Sequence, residues 1–161
     1  MNEPTLTLSN VTHWRAAVVA AAGEIAMYSL AMPSAYVGEA IEEPDEDGLV
    51  GAHIPLLGGS EPLELALLGS TAACRALAAA MWQLGDDATP SQSETADAIG
   101  EIVNMLAGSV KRRMKTAGVD LELGLPIFTL GKIVPTAQQT ILTMPVRFGE
   151  VDVFAQVIGP R

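Results

Sequence analysis

Apolar and polar positions repeat along this chain with two different periods, and the switches between them mark out its elements. Residues 11–32 carry apolar side chains at helical spacing and are ended by Pro33, with Ser9, Asn10 and Thr12 offering N-cap chemistry at the start. Three strand-like runs follow, at 36–41, 49–57 and 63–68, separated by an acidic turn at 42–48 and a Gly-Gly-Ser-Glu-Pro turn at 58–62. A short helix is predicted over 71–84, then a polar break over 85–93, then a long helix over 93–117 closed by Gly118. The last third reads as strands again, at 119–123, 127–130, 139–148 and 151–158, with a tight hairpin around Gly149 and Glu150. This order predicts one α/β domain over residues 1–161, with two long helices packed on one side of an antiparallel sheet.

The long second helix is the most informative segment. Ile102, Val103, Leu106, Val110 and Met114 form its apolar face, with Met105 on the border. On the other side Asp97, Glu101 and Asn104, spaced by four and then three positions, form one polar stripe. A solvated helix face is the plain reading of such a stripe. Two details favour a docking surface instead. Asn is a mediocre helix former in mid-helix, and Gly100 and Gly108 each cost roughly 1 kcal/mol relative to Ala. The helix gives up stability for surface shape, and the stripe offers a carboxylate and a carboxamide one turn apart.

The chain also hints at an internal duplication. Aligning Gly23-Glu24-Ile25 of the first helix with Gly100-Glu101-Ile102 of the second places Ala20 against Asp97 and Met27 against Asn104. The first copy keeps the glutamate but has neither the acidic residue nor the asparagine. Two pseudo-duplicated helix-plus-three-strand units with a single equipped stripe are therefore expected.

Composition narrows the picture further. A hydrophobic fraction of 49% with 17% charged residues argues for a sizeable core and against disorder. Aromatics are only 4%, so that core must be built from Ala, Leu, Val, Ile and seven Met. A net charge of −10 disfavours nucleic acid as a partner. The only basic cluster, Lys111, Arg112, Arg113 and Lys115, has two readings: it complements the helix dipole, or it guides an acidic partner. Cys74 is the only cysteine, which leaves no disulfide framework and suits a reducing cytoplasm. The first ten residues lack a basic secretory start, and the apolar stretch 16–32 is interrupted by Gly23, Glu24 and Ser29, so no membrane insertion is expected. His13 and His53 are too isolated to suggest a metal site, and neither a phosphate-cradling glycine loop nor a Gly-x-Ser-x-Gly elbow occurs.

With competing chemistry set aside, the pattern formed by Asp97, Glu101, Asn104 and Pro126, with GEIVNMLAG (100–108) at its centre, resembles the signature of the CheC/CheX/FliY phosphatases of bacterial chemotaxis, most nearly CheX. The resemblance implies a CheC-like fold. It implies dephosphorylation of the aspartyl-phosphate of a CheY-like response regulator, with Asn104 orienting the attacking water. Glu101 would dock onto the regulator, within a partner-contacting set of Asp97, Glu101, Gly108 and Lys111. Asp97 stands open between a cap, a solvated contact and peripheral docking, and Pro126 would shape the chain behind the helix. The resemblance further implies a homodimer and no cofactor of its own, the Mg2+ being that of the regulator. A rival reading within the same resemblance is a non-catalytic binder of phosphorylated regulator, as in FliM-type switch proteins; a scaffold or dimerisation domain is a second.

Overall fold

Strand pairing is antiparallel throughout the computed structural model, which describes residues 11–44, 46–58, 62–85, 87–131 and 134–161. In chain order the elements are α1 (Val11–Tyr28), β1 (Ala35–Val37), β2 (Val50–Leu57), β3 (Leu63–Gly69), α2 (Thr71–Met81), α3 (Gln92–Thr116), β4 (Glu122–Leu123), β5 (Ile127–Thr129), β6 (Gln139–Phe148) and β7 (Val151–Pro160). The N-cap expected from Ser9 and Asn10 lies outside the described residues, as do parts of the acidic turn, of the 58–62 turn and of the polar break.

The sheet order is β1-β6-β7-β3-β2-β4, with β5 also paired to β2. This order gives the duplication a concrete form. One unit runs α1-β1-β2-β3, the other α3-β4/β5-β6-β7, and their last strands β3 and β7 pair at the centre. Each unit then gives its first strand to the other: β1 pairs with β6, while β4 and β5 pair with β2. The two halves are thus held together by hydrogen bonds at three places.

Strand periodicity decides which side faces the helices. Ala52, Ile54 and Leu56 of β2, Leu65 and Leu67 of β3, and Val153, Ala155 and Val157 of β7 form a core with Trp14, Val18 and Ile25 of α1 and Ile99, Ile102 and Leu106 of α3. Cys74 and Leu77 of α2 join the same core. At Gly51, next to this face, the carbonyl of Leu67 lies where a Cβ would stand, so only glycine fits.

Several ends differ from the sequence pattern, each for a backbone reason. α1 stops at Tyr28, short of Met32, because the chain reverses to bury Leu30 (3% exposed); Ala31 takes φ 51° and the Met32 N–H reaches the Ala26 carbonyl at 2.8 Å. β1 ends at Val37, opposite Val146, because the next residue, Gly38, faces Pro145, which accepts from the Gly38 N–H but has no N–H to donate in return. Pairing resumes only as a single bridge between Ile41 and Thr143. α2 ends at Met81, before the expected Leu84, with Gln83 at φ 53° turning the chain. The hairpin at Gly149 (φ 58°) joins β6 to β7, and Gly118 (φ 85°) follows α3.

Ile102 is fully buried at the centre of the α3–sheet contact. Ile102→Ala is expected to lower stability by about 2–5 kcal/mol, read as a drop in the midpoint of a urea titration.

Candidate functional site

α3 begins with a reciprocal cap. Ser91 Oγ accepts from the Glu94 N–H at 3.1 Å, and Glu94 Oε1 accepts from the Ser91 N–H at 3.1 Å. These bonds hold the Glu94 carboxyl below its ordinary pKa, the Ser91 backbone contact contributing most. A helix started this firmly carries its surface residues at fixed angles for the rest of its length.

Asp97, Glu101 and Asn104 all line one open groove of about 740 Å3 on the outer side of α3. Asp97 and Glu101 are exposed and Asn104 is half-buried. The opposite wall is Leu125, Pro126 and Phe128, from the segment that leads into β5, and Met81 and Trp82 close one end. Pro126 lies over Gly100, 3.9 Å from where a Cβ would stand. That is ordinary van der Waals distance, so alanine would fit there, and close approach does not explain the glycine. Pro126 therefore forms a wall of the groove.

The expected partner-contacting residues divide between two places. Gly108 lies outside the groove, in a neighbouring cleft between α1 and α3 lined by Glu24, Tyr28, Ser29, Met105 and Arg112. No atom stands within 4 Å of where its Cβ would be, so Gly108 leaves open surface. Lys111 continues the stripe and is half-buried, about 10 Å further along the axis than Asn104 at 1.5 Å per residue.

Two of the four basic residues serve within the chain. Arg113 donates to Glu24 Oε1 at 2.6 Å, Arg112 to Oε2 at 3.3 Å, and Ser109 to Oε2 at 3.2 Å. Glu24, the counterpart of Glu101 in the first helix, is therefore spent on tying α1 to α3. Arg113 above all, helped by Ser109 and Arg112, holds its carboxyl below the ordinary range. Met27, the counterpart of Asn104, is 61% exposed and has little packing to lose on truncation.

Other reactive groups lie elsewhere. Cys74 is buried, with its thiol 3.6 Å from the Val50 carbonyl, and burial pushes it up to about 11, where it is protonated and a poor nucleophile at neutral pH. Among the described residues no group of His, Cys, Asp or Glu is placed to hold a metal ion, and no helix is long and apolar enough to cross a membrane. Pattern reading missed Trp82 and Leu125. The signals were a tryptophan in the last turn of the helix expected over 71–84 and a leucine inside a Gly-Leu-Pro turn.

Residues 50–146 match the family model described as chemotaxis phosphatase CheX. No curated protein sequence matches the chain. Among solved structures, a chemotaxis protein CheX from Desulfovibrio desulfuricans is similar with a TM-score of 0.73 at 18% identity, covering 88% of this chain and 95% of that one. A CheX–CheY–BeF3–Mg2+ complex from Borrelia burgdorferi gives 0.69 at 16% identity, over 91% and 96%. The FliM middle domain of H. pylori gives 0.67 at 8% identity, over 96% and 94%. At these identities the structures share the fold.

The Glu24 network has a pH signature. Its folded pKa lies below the ordinary 4.5, so its stabilisation is full above that value and is lost as pH falls through the lower folded value. The carboxylate is well exposed, so screening keeps the effect small. Glu24→Gln is expected to lower stability by about 0.5–1 kcal/mol at neutral pH and by progressively less as the pH falls below 4.5, in paired urea titrations.

Proposed function

The chain belongs to the family of the chemotaxis phosphatase CheX, and we propose that it removes the phosphoryl group from the aspartyl-phosphate of a CheY-like response regulator in the cytoplasm. The observation that carries this reading is the groove on α3, where Glu101 and Asn104 stand one turn apart on a face left free by the fold. A complex of a family member with CheY supports the choice of partner.

An acyl phosphate is already activated, and the regulator's own Mg2+ offsets phosphoryl charge. The component to be supplied is a water molecule in line with the scissile bond. A carboxamide suits that role, since the Asn104 oxygen accepts a hydrogen bond from the water and its NH2 can donate toward the phosphoryl group. It also carries no charge, whereas a carboxylate there would repel the phosphoryl oxygens. As the water oxygen bonds to phosphorus, the bond from phosphorus to the aspartyl oxygen breaks. The aspartate leaves as carboxylate with the electron pair, and the water's proton leaves with inorganic phosphate. Fixing a nucleophile in this way contributes up to ~7–11 kcal/mol in the best intramolecular cases, and a glutamine that orients water in GTPases is the nearest analogy.

Glu101 has the other role. One turn before Asn104, it meets a lysine of the regulator and fixes the docking register through a charge-assisted contact. Asp97 lies at the groove's near end and makes peripheral contact, with Gly108 and Lys111 extending the contact along the helix. The opposing reading, binding without turnover as in FliM-type proteins, is weakened by the intact Glu101–Asn104 pair.

The reading includes a homodimer formed through a sheet edge. β1 is one such edge, with Tyr36 largely exposed on it; Arg15 already occupies the Val37 and Gly38 carbonyls, which leaves the backbone around Ala35 to invite a second strand. Sedimentation at micromolar concentration should show the dimer; a monomer alone would remove this part.

The decisive assay is phosphate release from a Mg2+-loaded, phosphorylated CheY-like protein. Asn104→Ala should abolish acceleration while leaving fold and binding nearly unchanged. Glu101→Ala should weaken docking as well as rate. Wild-type turnover by Asn104→Ala would make the water-positioning role wrong and put the binding module first.

A further inference from the structure

Leu125 is 83% exposed, the most exposed large apolar side chain among the described residues. It is nevertheless rigidly held. On one side the Gly124 N–H donates to the Pro55 carbonyl at 2.9 Å, and Gly124 presses so closely on the Pro55 ring that a Cβ would come within 2.9 Å of Cγ. On the other side Pro126 has a fixed φ and lies against α3 at Gly100. The chain is thus pinned at both neighbours and leaves the leucine side chain in solvent.

Trp82, which lines the same groove, is held in a similar way. It caps α2, the positive φ of Gln83 turns the chain away from it, and its indole N–H points to the Glu94 carbonyl of α3 at 3.5 Å. The ring is 45% exposed, so it presents apolar surface without forming part of the buried core. A backbone braced in this way has little entropy left to lose when its side chain is covered, and tryptophan is a favoured anchor at interfaces.

Asp97, Glu101 and Asn104 line the same groove as Trp82 and Leu125, with no basic side chain among its lining residues. The face that fits is one with a cation at its centre and an apolar border. A regulator carrying its phosphoaspartate to Asn104 enters this groove and therefore passes over both side chains.

We propose that Trp82 and Leu125 are the apolar anchors of the docked receiver domain and close a dry border around the Glu101–Asn104 centre; this rests on the function proposed above. Covered by the partner, they exclude bulk water. The contact between Glu101 and a cation strengthens in the lower dielectric, and the water held by Asn104 is kept from exchange with solvent. They act on affinity, and Asn104 acts on the chemical step.

The test separates the two. The receiver-domain proteins of the organism that encodes this chain would be assayed in the acetyl-phosphate-loaded form for kcat and KM, and in the Mg2+- and beryllofluoride-loaded form for Kd. Trp82→Ala and Leu125→Ala are each expected to raise KM and Kd about tenfold with kcat changed less than twofold, with circular dichroism unaltered. Val134→Ala, a comparably exposed apolar residue (77%) that lines neither the groove nor the cleft around Gly108, should change neither and serves as control. Unchanged KM and Kd in the Trp82→Ala/Leu125→Ala double variant, while Asn104→Ala loses turnover, would overturn the anchors and leave the phosphatase standing. Loss of self-association in the double variant with KM unchanged would assign the border to a second copy of this chain. Raised Kd in the double variant alongside full turnover by Asn104→Ala would keep the anchors and remove the water-positioning role. Wild type that neither binds nor dephosphorylates any receiver would overturn both.

Discussion

Ala98, Ile99, Ile102, Val103, Leu106, Ala107 and Val110 are all essentially inaccessible along one side of α3, and this leaves the helix no freedom to rotate about its axis. At 100° per residue, turning the helix by a single position would lift a row of these side chains out of the sheet contact and insert Glu101 or Asn104 instead. Removing even one large member of the row is costly. An uncompensated carboxylate in that contact would cost several kcal/mol more. Hydrophobic burial thus aims the polar stripe, although no stripe residue takes part in it. The capping box at Ser91 and Glu94 sets where the helix starts, and the sheet sets which way it faces.

The two units show how a duplicated helix can serve different ends. In α3 the Gly-Glu-Ile glutamate faces the groove; in α1 the corresponding Glu24 is held by Arg112, Arg113 and Ser109 of α3. The ion-pair network is exposed, so its contribution to stability is modest. It also takes the second glutamate out of the reach of a partner, so that only α3 presents a free glutamate of the Gly-Glu-Ile repeat. The strand exchange at the sheet edges, β1 onto β6 and β4/β5 onto β2, adds the second consequence of duplication. It brings the segment carrying Leu125 and Pro126 back alongside α3, where it becomes the far wall of the groove.

That wall gives the site its physical character. A polar stripe alone on a convex helix would be fully hydrated, and a water molecule on Asn104 would differ little from bulk solvent. With Pro126 and Phe128 opposite, the stripe becomes the floor of a cleft that a partner can seal. Close packing of Gly124 on Pro55, together with the Gly124 N–H bond to the Pro55 carbonyl, braces that wall against β2.

The element order, the long second helix and its outward stripe are legible in the chain, because helical and strand periods are written within windows of a few turns. The match of Asp97, Glu101, Asn104 and Pro126 to a family signature was legible for the same reason: three of the four sit on one helix. Where α1 ends follows from packing alone, since the burial of Leu30 and the left-handed Ala31 depend on what the helix meets. The shortening of β1 is also set from a distance, by Pro145 on a strand more than a hundred residues away. The partnership of Glu24 with Arg112 and Arg113, and the meeting of Trp82, Leu125 and Asn104 in one groove, were likewise absent from any local pattern. These features join residues from separate elements, and such meetings are set by the pairing order of the sheet, which no stretch of chain short enough to show a period contains.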